Sequence, residues 1–386
     1  MNKKVAIFTG TRAEYGLLSQ IIGKVAKDSE LTLQLWVGGM HLLEKFGYTK
    51  QQIVEDGFEI AAELDFLLPE DNPVAVTTSM GKAVIQAGET FANLKPDVMI
   101  LLGDRFETFA IAQAALIANV PVAHIHGGEI TEAAMDDAIR HAITKLSHVH
   151  FTANETYRQR VIQLGEQPDR VFNVGAPGID NIMHLPLLSQ EQLSEELGLN
   201  ANKPYFLITY HPETLSGDSG IDSLNALIEA LDNYRSHDLF ITYPNADTYG
   251  QALIDRLEKL KSQHPERVHL FQSVGQLKYL SAMKYCQAVV GNSSSGIIEA
   301  PSFHVPTVNI GDRQKGRMAS QTVIHCGEAK QAIVSALEKA TSNSFLSDIK
   351  SYENPYGDGH SCQKIIDLLK MNIPKSVIKT FYDIER

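Results

Sequence analysis

Two doubly wound α/β halves, each a parallel sheet with helices on both faces, are the fold this 386-residue sequence predicts. Three observations carry that prediction. Short apolar runs ending in Gly, Asp or His alternate with longer segments of helical period; the alternation pauses once and restarts; and the chain exceeds what one hydrophobic core usually organises. A ligand of such a protein is expected outside the carboxyl ends of the strands, in the cleft across which the halves face each other.

In the first half, strands are predicted over residues 5–9, 31–37, 98–102, 122–125, 149–152 and 171–174, each a short apolar run of the kind that lies buried in a parallel sheet. Helices are predicted over 17–27, 77–93, 107–118, 136–146 and 155–164, where apolar residues recur at three- and four-residue steps. Residues 180–203, rich in Leu, Ser, Glu and Asn and without a strand signal, read as the link to a second unit. There, strands are predicted over 205–209, 239–242, 268–271, 288–290 and 307–310, with helices over 224–234, 249–260, 277–285, 297–302 and 329–341. The domains are accordingly set at 1–180 and from 181 onward.

The composition, 44% hydrophobic and 21% charged, is that of a soluble globular chain. A formal net charge of −12 argues against a protein that grips a polyanion such as DNA or RNA, since that affinity comes mostly from phosphate neutralisation. A small anionic ligand needs only a local cluster of donors. Cys286, Cys326 and Cys362 are odd in number and form no CxxC pair, so neither a disulfide framework nor a structural zinc site is suggested. The start of the chain has no signal-like apolar segment. The longest apolar stretch, residues 109–125, is broken by Gln113, Asn119 and Pro121 and falls short of a membrane span. Cytoplasmic residence with no membrane partner is the expectation, and the sequons at Asn154 and Asn292 then carry no meaning.

This architecture places its chemistry just after each strand. The strand ends of the first half give Thr9-Gly10-Thr11-Arg12, Leu102-Gly103-Asp104-Arg105 and His124-Ile125-His126-Gly127-Gly128-Glu129. Those of the second half give Tyr210-His211-Pro212, Tyr243-Pro244-Asn245-Ala246-Asp247, Gly291-Asn292-Ser293-Ser294-Ser295-Gly296 and Gly311-Asp312-Arg313-Gln314. Carboxylates mark the first list; cations and hydroxyls mark the second. The small-residue turn over 291–296 offers backbone N–H groups and three hydroxyls at the start of a helix, a cradle for a diphosphate, although a serine-rich N-cap has the same look. His211 and Arg313 add the cations a pyrophosphate requires. Glu299, one turn further, is placed for ribose hydroxyls; its plainer reading is a solvated helix glutamate. In the first half Asp104, Glu129 and the Asp136-Asp137 pair come from adjacent strand ends, so several carboxyl groups can converge on one substrate carbon for acid/base work. Each alone could be a helix cap, and Arg105 could simply pair with Glu107. No GxxxxGK[ST], GxSxG, HExxH or GxGxxG motif is present, which removes a P-loop kinase, a nucleophile elbow, a zinc protease and a dinucleotide-dependent dehydrogenase.

Taken in order, Gly10-Thr11-Arg12-Ala13-Glu14-Tyr15-Gly16, Gly103-Asp104-Arg105, His126-Gly127-Gly128-Glu129, Met135-Asp136-Asp137-Ala138-Ile139-Arg140-His141, His211-Pro212, Gly291-Asn292-Ser293-Ser294-Ser295-Gly296 and Gly311-Asp312-Arg313-Gln314 resemble the hydrolysing UDP-N-acetylglucosamine 2-epimerases of sialic-acid biosynthesis. The resemblance implies a glycosyltransferase-B-like pair of Rossmann-like domains, with the UDP-binding domain over 181–372 and a terminal segment, 373–386, that crosses back to the first domain. It implies conversion of UDP-N-acetylglucosamine and water to N-acetylmannosamine and UDP, through a 2-acetamidoglucal, with no cofactor and no metal. It also implies Asp104, Glu129 and Asp136 as catalytic carboxylates. Arg12, Arg105, His211, Asn245, Ser293, Ser294, Ser295 and Arg313 would be contacts to the UDP-sugar, with Glu299 on the ribose. Many relatives carry glutamate where this sequence has His126, so His126 or Glu129 is the second proton carrier beside Asp104. The expected partner is a small UDP-sugar, and the resemblance implies a homo-oligomer, a dimer. Alternatives of the same architecture are a 2-epimerase of a 6-deoxy 2,4-diacetamido UDP-hexose from legionaminic-acid routes and a glycosyltransferase; a sugar-nucleotide sensor would need no proton carriers.

Overall fold

A computed structural model describes residues 2–70, 72–130, 135–211, 220–244, 250–272 and 274–384. The chain divides into two compact units, Met1–Asn181 with Tyr356–Arg386, and Ile182–Pro355. The first is built on β1 (Lys3–Thr9), β2 (Leu31–Gly38), β3 (Ile60–Leu64), β4 (Val98–Leu102), β5 (Val122–Ile125), β6 (Val149–Thr152) and β7 (Val171–Asn173). These form one parallel sheet in the order β3-β2-β1-β4-β5-β6-β7. The second unit is built on β8 (Tyr205–Thr209), β9 (Asp238–Thr242), β10 (Val268–Phe271), β11 (Ala288–Gly291), β12 (Thr307–Ile310) and β13 (Val323–Cys326), parallel in the order β10-β9-β8-β11-β12-β13. Two doubly wound sheets, as the sequence predicts, are thus present.

The central strands are apolar throughout because helices cover both of their faces: β4 and β8 are buried along their whole length. One face of the first sheet packs Val5, Ile7, Val98 and Ile100 against Leu18, Ile21 and Ile22 of the helix Arg12–Lys27. The other packs Phe8, Trp36, Met99 and Leu101 against the helices Pro73–Leu94 and Phe106–Ile117. In each sheet the winding reverses beside the first strand, between β1 and β4 and between β8 and β11. Loops leaving the carboxyl ends of such a pair diverge to opposite faces and leave room for a ligand.

Three parts of the prediction differ from the structure. The edge strands β3 and β13 were not expected, and the link holds two helices, Pro177–His184 and Gln190–Leu197. The return to the first unit begins at Tyr356 rather than at residue 373, because a whole helix, Ser361–Asn372, buries Cys362, Ile365, Ile366 and Leu369 in the first unit's core. The carboxylate of Asp180 accepts from the amides of Ser361 and Cys362 at 2.9 and 2.7 Å and so satisfies that helix's first turn.

The terminal stretch is held by a buried acid. Glu166 accepts from Lys145 at 2.6 Å, Lys379 at 2.8 Å and His150 at 3.1 Å. His150 lies on the interior strand β6 and His148 just before it, and burial lowers both below the usual histidine range. Burial alone would raise the Glu166 carboxyl; its hydrogen bonds and the neighbouring charges more than offset that and hold it at about 2. Lys145 closes the helix Met135–Leu146, so this cluster anchors the far end of the element that carries Asp136.

Because the folded value lies below the ordinary 4.5, the stabilisation is present above pH 4.5 and is lost as pH falls toward about 2. Glu166→Gln is expected to destabilise the protein by about 3 kcal/mol at pH 7, with the gap to wild type closing over that acid range. Urea unfolding at a series of pH values checks this, and a pH-independent gap contradicts it.

Candidate active site

The first unit's switch point collects residues from four places: the turn after β1, the loop after β4, the loop after β5, and the helix Met135–Leu146. Arg12 opens the helix Arg12–Lys27 and is exposed, with Thr11 as N-cap and Glu14 completing a capping box. Asp104 follows Gly103, whose positive φ of 80° turns the chain away from the sheet. Gly103 is tied down from both sides: its amide donates to the Ile125 carbonyl at 3.0 Å, and its carbonyl accepts from His124 Nε2 at 2.8 Å. Burial drives His124 to about 3, so it is a neutral imidazole with a fixed tautomer.

At the centre sits Arg140, which is 3% exposed. Its Nη2 donates to Asp104 Oδ2, its Nη1 donates to the Glu129 carbonyl at 2.9 Å, and Asp137 Oδ1 lies 3.5 Å away. A guanidinium taken out of water needs such partners, and here they are supplied by three different segments. Burial raises the Asp104 carboxyl; Arg140 opposes the rise, and the charges of Asp136 and Glu129 support it. The balance leaves Asp104 above the usual aspartate range, toward the proton affinity a general base needs.

His126 and Glu129 are bound to each other rather than being alternatives. His126 Nδ1 lies 2.6 Å from Glu129 Oε1, which leaves Nε2 as the ring's second proton site. His126 is held at φ 68°, an uncommon backbone state for a residue with a Cβ and one that clusters at functional sites. Gly128 between them has φ 82°, and a Cβ there would lie 2.3 Å from the Tyr157 carbonyl. Arg160 Nη1 donates to the Gly128 carbonyl and closes the loop. Asp136 and Asp137 occupy the first turn of the helix Met135–Leu146, where the dipole favours acids. Arg105 donates through Nε to Glu107 Oε1 at 2.5 Å, as its plainer sequence reading allowed.

The second unit's switch point is organised by Asn292, which is fully buried. Its side-chain oxygen accepts from the His211 amide at 2.7 Å, and its Nδ2 donates to the His211 carbonyl at 2.9 Å. Its own carbonyl accepts from Arg313 Nη1 at 3.1 Å and Gln314 Nε2 at 2.9 Å. The ends of β8, β11 and β12 are joined in this way. Gly291 adopts φ 134°, and a Cβ there would lie 2.1 Å from the Thr209 carbonyl, so the close approach of β8 and β11 requires glycine.

The serine turn differs from the expectation. The helix starts at Ser294 rather than near residue 297 and runs only to Ile298, so hydroxyls rather than a long helix dipole are what it offers. Ser293 caps it, Ser293 Oγ meets Ser295 Oγ at 3.0 Å, and Tyr279 Oη meets Ser295 Oγ at 2.7 Å. Ser294 makes no side-chain hydrogen bond among the described residues. Glu299 is the C-cap, partly accessible, with its carboxyl pushed up to about 7 by burial. His211 is a correction: it is no cation, because burial and the adjacent Arg313 charge lower it to about 3. Asn245 lies outside the described residues. Within unit 1 the structure gathers Asp104, His126, Glu129 and Asp136 around Arg140; within unit 2 it gathers His211, Ser293, Ser295 and Arg313 around Asn292 or beside its turn. Arg140 and Asn292, the two organising side chains, are the ones sequence reasoning missed. The signal available was an arginine one turn after an acidic first turn, and an asparagine directly after a strand.

Paired doubly wound sheets with polar side chains gathered at each switch point are the build of a nucleotide-handling enzyme. Residues 23–370 match the family described as UDP-N-acetylglucosamine 2-epimerase, and the chain belongs to that family. It is 37% identical over 384 residues to the GDP/UDP-N,N'-diacetylbacillosamine 2-epimerase (hydrolyzing) of Campylobacter jejuni, covering 99% of each chain. It is 38% identical over 385 residues to the polysialic acid biosynthesis protein P7 of Escherichia coli, covering 99% of this chain and 98% of that one. Among solved structures, the Neisseria meningitidis UDP-GlcNAc 2-epimerase bound to UDP-GlcNAc superposes with a TM-score of 0.82 at 21% identity, over 96% of this chain and all of that one.

Arg140→Leu leaves Asp104 and the Glu129 carbonyl without their shared donor. It is expected to cost about 3 kcal/mol, the low end for breaking a buried pair because Asp104 keeps some solvent contact. Urea unfolding of the two proteins checks this, and an unchanged midpoint contradicts it.

Proposed function

We propose that the chain hydrolyses UDP-N-acetylglucosamine to N-acetylmannosamine and UDP, inverting C2. The observation that supports this is the acid cluster at the first switch point, where Asp104, Glu129 and His126 meet around one buried arginine beside Asp136. The reaction needs two proton carriers. In our reading Asp104, with its raised proton affinity, takes the proton from C2 as the C1–O bond breaks and UDP leaves, giving a 2-acetamidoglucal. Water then adds as hydroxyl to C1, and C2 receives a proton on the opposite face from the His126–Glu129 pair through Nε2; the proton given up by the water restores that pair, and the proton held on Asp104 leaves with UDP. Atoms balance: one water is consumed, and N-acetylmannosamine and UDP are formed.

The second unit's residues suit the departing nucleotide. Negative charge grows on the leaving phosphate oxygen, where fixed donors act most strongly, each worth about 2.7–4 kcal/mol in such sites. Arg313 and the hydroxyls of Ser293, Ser294 and Ser295 are assigned there, with Arg12 and Arg105 from the first unit. His211, neutral, contributes a hydrogen bond rather than a charge. Glu299 is assigned to the ribose hydroxyls, accepting best above pH about 7, where its carboxyl ionises.

A second reading keeps the reaction and changes the sugar to a 2,4-diacetamido-2,4,6-trideoxy hexose. It is favoured by the name of the C. jejuni relative, a diacetylbacillosamine 2-epimerase. Purified protein given either UDP-sugar separates the two: UDP release from UDP-N-acetylglucosamine with a higher kcat/KM supports the first reading, and a preference for the diacetamido sugar establishes the second. With the preferred substrate, Asp104→Asn is expected to lower kcat by about 10²–10⁴-fold under conditions where circular dichroism shows the variant folded, and retention of full rate removes Asp104 from the proposed role.

A further inference from the structure

Behind the first switch point lies a second pair of acids that neither the sequence reading nor the reaction uses. Glu14 and Glu107 are 7% and 1% exposed and both pack against Gly10. A Cβ on Gly10 would lie 2.9 Å from Glu107 Cγ and 3.3 Å from Glu14 Oε2. Glu14 Oε2 accepts from the amides of Gly10 at 2.7 Å and Thr11 at 3.2 Å, and Glu14 Oε1 accepts from Thr108 Oγ1 at 3.3 Å. Glu107 Oε1 accepts from Arg105 Nε, and its Oε2 is buried with no hydrogen-bond partner among the described residues.

Two buried carboxyls beside one another, of which Glu107 alone grips a guanidinium, are costly, and a plain packing site would carry apolar residues instead. Arg105 shows what they accomplish. Its Nε edge is taken by Glu107, its side chain remains 34% exposed, and its two Nη nitrogens have no hydrogen-bond partner among the described residues. A guanidinium gripped at Nε presents its remaining N–H fork in one fixed direction, the preorganisation that an anionic oxygen rewards. Glu14 does the same for the neighbouring turn, aligning the segment that ends in Arg12.

We propose that Glu107 is a positioning residue for the nucleotide's diphosphate, fixing the fork of Arg105 while Glu14 fixes the Gly10–Arg12 turn beside it. The proposal rests on the UDP-sugar reading above. Burial first, and then the charge of Glu107, raise the Glu14 carboxyl to about 7, so near neutrality Glu14 is partly protonated, which eases its proximity to Glu107. Asp136 adds to the negative field felt by Arg105.

A double-mutant cycle on Arg105 and Glu107 tests this, read out as UDP affinity by calorimetry and as kcat/KM for the preferred UDP-sugar. Glu107→Ala is expected to weaken UDP binding about tenfold and to lower kcat/KM about 100-fold, as misplacement of a binding group does, without loss of thermal stability. Glu107→Gln, which keeps an acceptor for Nε, should recover most of the UDP affinity. The Arg105→Ala/Glu107→Ala double variant should be no worse than Arg105→Ala alone. Additive losses, or losses that track a falling melting temperature in both Glu107 variants, overturn the proposal. A wild-type chain that neither binds nor hydrolyses a UDP-sugar removes the underlying reading as well, which distinguishes the two failures.

Discussion

A guanidinium removed from water is the constraint on which the first unit's chemistry depends. Arg140 is carried inward by the helix Met135–Leu146, and its charge has to be met by acceptors brought to it. The loops after β4 and β5 supply them as Asp104 and the Glu129 carbonyl. Their positions are therefore set by one another. The same arrangement raises the proton affinity of Asp104: burial makes ionisation expensive, Arg140 limits the expense, and neighbouring acids add to it. The helix is in turn anchored at its far end, where Lys145 meets Glu166 and the returning chain. Fold, terminal return and the proposed proton carriers thus form one connected system within this unit.

The second unit solves a different problem with similar means. Asn292 uses its amide to bind both backbone groups of His211, and its carbonyl to hold Arg313 and Gln314. A neutral amide is enough here because the groups being held are a backbone segment and donors. The result is a set of hydroxyls and one guanidinium at the end of an apolar sheet, suited to receiving charge rather than moving protons. The two sheets share a topology, and the residues at their strand ends differ in kind.

Much of this was legible in the sequence for definite reasons. The runs at 98–102 and 205–209 read as strands because helices bury them on both faces, and uninterrupted apolar character survives as a signal. β3, with the residues Ile-Ala-Ala-Glu-Leu half exposed, and β13, with His325 and Cys326, are edge strands whose mixed pattern matches no strand template. Asp104, Glu129 and Asp136 stand out as candidates in the sequence because strand ends are where this fold places chemistry. Arg140 was not, because an arginine on an amphipathic helix reads as solvated until tertiary structure turns it inward. Glu14 and Glu107 were hidden for the same reason, each having the look of a first-turn helix acid. The neutral state of His211 is a property of burial, which a linear sequence does not display. The return at Tyr356 was missed because the decisive contacts, Asp180 with Ser361 and Cys362, join residues far apart in the chain.

The central claim is that acids of the first unit move the hydrogen on C2 of a UDP-linked sugar. Turnover of the preferred UDP-sugar in deuterated water, followed by proton NMR of the released sugar, tests it most directly. The account predicts one deuterium at C2 of an inverted product for every UDP released. UDP release with the original hydrogen and configuration retained at C2 would contradict it.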